Sequence, residues 1–93
     1  MSTFQVKLPG RFDFSFHGSF SEQSKAGLEN DSYKLLVLDF ASVAYLDSSA
    51  LGMIIMLQKK CNKSGKSLKI INAHGTADAL LRLANIDQMV VIE

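Results

Sequence analysis

The 93-residue chain has one cysteine, one proline, two histidines and no tryptophan. A lone cysteine, Cys61, closes no internal disulfide, which excludes a cross-linked extracellular scaffold. His17 and His74 lie far apart in the sequence and, with Cys61, offer no recognised metal-ligand spacing, so neither a metal nor another cofactor is expected. Lysine and arginine together number 10 against 9 acidic residues, a net charge of +1. No strong field therefore draws the chain to nucleic acid or to an anionic membrane. No apolar run approaches the roughly 20 residues that span a bilayer. The opening "MSTFQVKLPG" lacks the basic-then-apolar pattern of a secretory signal, and the expectation is a cytoplasmic protein without membrane insertion.

What is present is globular: 47% of residues are hydrophobic and 20% charged, with no low-complexity tract. The length predicts a single domain over residues 1–93. Phe4, Val6 and Leu8 alternate with polar residues, Pro9-Gly10 punctuates, and Phe12, Phe14 and Phe16 alternate again, which predicts a hairpin of two half-buried strands. Residues 18–33 are polar and weakly periodic, with Phe20 and Leu28 as anchors, so any helix there is expected to be short. "KLLVLDF" at 34–40 reads as a central strand buried on both faces. A helix opens at Ser48 or Ser49 and runs to about Lys63, ended by Ser64-Gly65 with a left-handed glycine cap. "SLKIINA" at 67–73 predicts another strand, "TADALLRLAN" a second helix from Gly75 or Thr76, and "QMVVIE" an edge strand. The order implies an α/β fold: a small mixed sheet of four to five strands with helices mainly on one face.

The chemistry-bearing stretch is "VAYLDSSALGMIIM" at 43–56, on the loop leaving the carboxyl end of the central strand, where functional loops of open α/β sheets lie. Asp47, Ser48 and Ser49 are good helix N-caps, because their oxygens accept from first-turn amides that have no helical partner. The same helix start would also accommodate a phosphate on serine. On the residues alone both readings stand. Along the helix, 51, 54, 55, 57, 58 and 61 share one side, while Met53, Met56, Lys59, Lys60 and Lys63 share the other. Methionines flanked by lysines suit an adaptable partner surface, although Met53 equally suits the core. Gly52 would let a partner backbone approach, or merely ease packing. Asp39 ends the central strand, where its ordinary role is to accept loop amide hydrogens. Cys61 reads as a small buried hydrophobe.

The segment "LLVLDFASVAYLDSSALGMIIMLQKKCNKSGKSLKIINAHGTADALLRLANID" resembles the STAS domain of anti-sigma factor antagonists, most specifically in "LDFASVAYLDSSALG". Ala50 stands where many members have glycine. The resemblance implies a non-catalytic, phosphorylation-controlled switch, a monomer or weak dimer. A partner serine kinase that is also the anti-sigma factor would phosphorylate Ser48, with Ser49 the second choice, and a metal-dependent serine phosphatase would reverse it. Asp47 and Asp39 would support the motif, while Ser49, Gly52, Met53, Met56 and Lys60 would meet the partner. Two other functions compete: a STAS-type accessory subunit of a membrane transporter, and a small serine hydrolase using Ser48 as nucleophile. The hydrolase reading lacks a Gly-x-Ser-x-Gly motif and leaves little wall for a substrate pocket.

Overall fold

The apolar run after Tyr33 sits at the centre of the computed structural model, which describes residues 2–93. It forms β3 (Tyr33–Asp39), flanked by β1 (Ser2–Lys7) on one side and β5 (Ser67–Ile71) on the other. A short β6 (Val91–Ile92) completes a four-stranded sheet in the order β1-β3-β5-β6, and every pair in it is parallel. The register aligns Phe4 with Leu36 and Leu36 with Leu68, then Val6 with Leu38 and Leu38 with Ile70. Aligned residues share a face, and these two rows form the floor of the core. The next rows, which hold Gln5, Lys7 and Lys69, point to the opposite, more open face.

Parallel strands require crossovers, and helices supply them: α1 (His17–Glu29), α2 (Ser48–Lys63) and α3 (Gly75–Leu83) alternate with the strands. Phe20 of α1, Ile54 and Leu57 of α2, and Ala77 and Leu81 of α3 all join the same core cluster. The α/β class, the four-stranded sheet and the helices on one face agree with the expectation from sequence.

The expected hairpin is absent, and with it the antiparallel pairing that would have made the sheet mixed. Strand β1 pairs with β3 instead, and its continuation Leu8 donates to the Asp39 carbonyl at 3.1 Å. After Pro9-Gly10 only Arg11–Phe12 (β2) is extended. It pairs in parallel with β4 (Tyr45–Leu46), and both inward residues, Phe12 and Leu46, are buried. Asp13 then accepts from the Ser15 amide and starts a 3-10 turn over Phe14–Phe16 that runs into α1. The alternating phenylalanines imitate a strand, but an aspartate able to cap the next turn decides the local structure.

Helix α1 is also longer than expected, 13 residues. Its weak periodicity is offset by two tertiary contacts and one side-chain bond within the helix. A Cβ on Gly27 would lie 2.6 Å from the Phe4 ring, so glycine is what lets the helix rest on β1. Buried Ser24 donates its hydroxyl to the Phe20 carbonyl at 2.7 Å. Lys66, also buried, donates to the carbonyls of Gly27 (3.3 Å), Asn30 (2.7 Å) and Tyr33 (2.7 Å) and closes the helix from a distant part of the chain.

The end of α2 follows its sequence signal. Gly65 takes φ +70°, its amide donates to the Asn62 carbonyl at 3.2 Å, and the Lys66 amide donates to the Cys61 carbonyl at 2.9 Å. These two bonds are those of a Schellman closure. Cys61 faces the core, where burial pushes its thiol up, with the Lys66 charge partly opposing. Strand β5 stops two residues before the predicted end, because Asn72 turns the chain at φ 61°.

Candidate functional site

The loop from the end of β3 to the start of α2 is fixed at several points along its length. The Phe40 amide donates to the Ile71 carbonyl at 2.9 Å, and the Val43 amide to the Phe40 carbonyl at 3.0 Å. Val43 and Leu46 are buried and anchor it inward. Gly10 accepts from the amides of Ala44 and Tyr45 at 2.9 and 3.2 Å, tying the loop to β2.

Asp39 organises the same region. Its carboxylate accepts from Asn72 Nδ2 (3.0 Å), the Ala41 amide (2.9 Å) and Gln5 Nε2 (3.2 Å), so three segments meet on one side chain. The bonds from Asn72 and Ala41 hold its carboxyl below the ordinary aspartate value against the opposing effect of burial, with Lys7 and Gln5 contributing further. Nearby, His74 Nε2 lies 3.0 Å from the Ala41 carbonyl oxygen, donating to it when that nitrogen carries the proton.

Asp47 is the N-cap of α2: extended at φ −115°, it accepts from the Ala50 amide at 2.9 Å. The next residues divide by helical phase. Ser48 is exposed, Ser49 half-buried, and Ala50 fully buried, so the methyl at the position where glycine is common fills core space. The cap role of Asp47 is therefore observed, and Ser48 is the hydroxyl that it leaves in solvent.

Beside Ser49 runs a groove of about 380 Å³ between the first half of α1 and the outer side of α2. Phe14 and His17 form one wall, their rings stacked at 5.3 Å and 18°. Ser49, Gly52, Met56 and Lys60 of α2 line the other, over a floor that includes buried Phe20, Met53 and Leu57. Met53 corrects the helical count that set it on the outer side: it is 8% exposed and packed in the core, whereas Met56 is 53% exposed. The near-100° spacing leaves residue 53 adjacent to the buried 50, 54 and 57, and the core takes it. Gly52 is exposed, with nothing within 4 Å of where a Cβ would lie.

Sequence reasoning missed Phe14, His17 and Arg11. Arg11 pairs with Asp13 at 2.7 Å and lies 4.4 Å above the Tyr45 ring on the outer side of the small ladder. The only signal for them was the Asp13-Phe14-Ser15 cap, which the alternation of phenylalanines obscured. Among the described residues no group of three or more His, Cys, Asp or Glu side chains is placed to hold a metal ion, and no helix is long and apolar enough to cross a membrane.

Comparison with known proteins places this geometry in context. A STAS-domain containing protein of Pseudomonas aeruginosa is 28% identical over 85 residues, covering 90% of this chain and 81% of that protein. The unphosphorylated form of the anti-sigma factor antagonist SpoIIAA superposes with a TM-score of 0.75 at 12% identity, over 98% of this chain and 78% of that one. The STAS domain of a SulP transporter from Vibrio cholerae gives 0.81 at 18% identity, over 98% and 73%. The chain thus shares its fold with an anti-sigma factor antagonist and with a transporter STAS domain alike. The family model described as "Mlab, STAS domain" matches residues 2–92, and the chain belongs to that STAS-domain family.

Proposed function

We propose that the chain is a partner-switching module, without catalysis of its own, that binds a serine kinase acting also as an anti-sigma factor while Ser48 is unmodified and releases it once Ser48 is phosphorylated. A metal-dependent serine phosphatase would restore the binding form. The observation that carries this reading is the division of labour at the start of α2: Asp47 caps the helix, so the neighbouring exposed Ser48 hydroxyl is not needed for the fold. A phosphate there would add about 1.5 to 2 negative charges and three acceptor oxygens. It would sit beside the amide end of a 16-residue helix, which favours an anion, and beside the Asp47 carboxylate, which does not. The net effect on folding is small. The effect on a partner that has to cover the same spot is large. SpoIIAA, which shares the fold, is known in phosphorylated and unphosphorylated forms.

Ser49 is the weaker candidate acceptor because it is half-buried on the groove wall. Incubation with the cognate kinase and ATP is expected to add one phosphate, abolished in Ser48→Ala and only weakened in Ser49→Ala. The switch operates in the cytosol, where ATP and the kinase reside. Co-purification with a transporter ATPase subunit, together with an unmodified Ser48, would replace it by a transporter-docking role. Turnover of activated esters that is lost in Ser48→Ala would replace it by hydrolase activity.

A further inference from the structure

We propose that the groove beside α2 receives an amphipathic helix of a partner protein, oriented so that its acidic residues lie at the C-terminal end of α2. The inference rests on the reading above in one respect, that α2 faces a partner, and it adds that partner's chemistry and direction.

The walls present two large apolar side chains to solvent, Phe14 at 66% and Met56 at 53% exposure. Gly52 between them leaves space for a backbone to come close. The residues that α2 contributes, from Ser49 to Lys60, recur at one-turn spacing and form a stripe about 17 Å long, the length of three turns of a second helix. A partner strand would need an unpaired strand edge, and this groove lies between helices.

Charge fixes the direction. Helix α2 contains no aspartate or glutamate, and among the described residues Lys59, Lys60 and Lys63 are exposed and take part in no ion pair. A single lysine near a helix end is accounted for by the macrodipole, but three within five residues, Lys60 on the groove wall and Lys59 and Lys63 beside Met56 in the adjoining depression, complement an acidic partner. The opposite end of the stripe, at Ser48 and Ser49, carries no lysine. The acidic residues of an occupant therefore pair at the Lys60 end.

The test uses a synthetic 20-residue helical peptide with Leu and Phe at one-turn spacing and two Glu at one end, beside the same peptide with Lys in place of Glu. Both are titrated against the full chain by calorimetry, with amide chemical shifts read in parallel. The Glu peptide is expected to bind at least tenfold more tightly and to shift Gly52, Met56 and Lys60. Lys60→Glu combined with Lys63→Glu should invert the preference. Gly52→Leu and Met56→Ala should each weaken the Glu peptide about tenfold with an unchanged circular dichroism spectrum. Equal affinity for the two peptides, no binding at millimolar concentration, shifts outside the groove, or preferential filling of the groove by dodecanoate would each overturn the proposal. A Ser48→Asp chain that binds the Glu peptide as wild type does would overturn the switch and leave the groove assignment standing.

Discussion

At the scale of single residues, the first turn of α2 separates a structural aspartate from a serine that the fold does not use. Asp47 accepts from the Ala50 amide, while Ser48 stays in solvent. Ser48→Asp is therefore expected to be almost silent in folding: a charge at the helix start gains about 0.3 to 1 kcal/mol, and repulsion from Asp47 costs a similar amount. The melting temperature should stay within about 2 °C of wild type, measured by circular dichroism. Affinity for the proposed partner kinase should fall by several kcal/mol, because an interface shaped for a hydroxyl would have to bury an unpaired charge. Asp39 makes a different prediction. Its carboxyl is held below the ordinary value of 3.8 in the folded protein, so it contributes stability that is full above the unfolded-state pKa of about 3.9 and lost as pH falls through the folded value. Urea unfolding of wild type and Asp39→Asn should show a constant gap above about pH 5 that narrows below pH 4; a gap independent of pH would contradict the assigned network. The Asp-Ser-Ser motif was legible because capping is local chemistry. Met53 was not, because its place depends on how far the core reaches around the helix.

At the scale of elements, what was readable and what was not divides along sequence separation. Strand β3, helix α2 and its glycine closure were predicted from runs and signals within a few residues. Helix α1 was underestimated because the groups that hold it are remote: Phe4 under Gly27, and Lys66 on three carbonyls around its C-terminal end. The 3-10 turn was misread as strand because Phe12, Phe14 and Phe16 satisfy a two-residue period, while Asp13 caps the turn that breaks it. Lys66→Met tests the remote closure. It removes a charged donor from three carbonyls, and hydrogen bonds to charged groups are each worth about 1.5 to 3 kcal/mol. Solvent can replace part of that at this helix end, so a total loss of about 2 kcal/mol in urea unfolding is expected. Amide exchange should accelerate over residues 28–34 before it does in α2. Uniform acceleration over the whole chain would mean that Lys66 acts on the global core rather than on α1.

At the scale of the whole molecule, the parallel sheet delivers the ends of β3 and β5 to one edge, where Asp39 and Asn72 tie them together, and the β2–β4 ladder sets the two helix starts side by side. The loop carrying Asp47 and Ser48 and the groove between α1 and α2 both follow from that arrangement. The α2 wall of the groove was legible as a partner-facing stripe, but the opposite wall, Phe14 and His17, had no signature, because it comes from a segment roughly 35 residues away that the shared core and the β2–β4 pairing bring alongside. Whether Ser48 is the hydroxyl of the proposed switch is read by mass spectrometry of the protein isolated from its own cells, with and without the proposed partner kinase. A fraction of the chains is expected to bear one phosphate, mapped to Ser48 and lost when the kinase is deleted. A chain that is unmodified under every growth condition, or modified only at a residue other than Ser48, would contradict it.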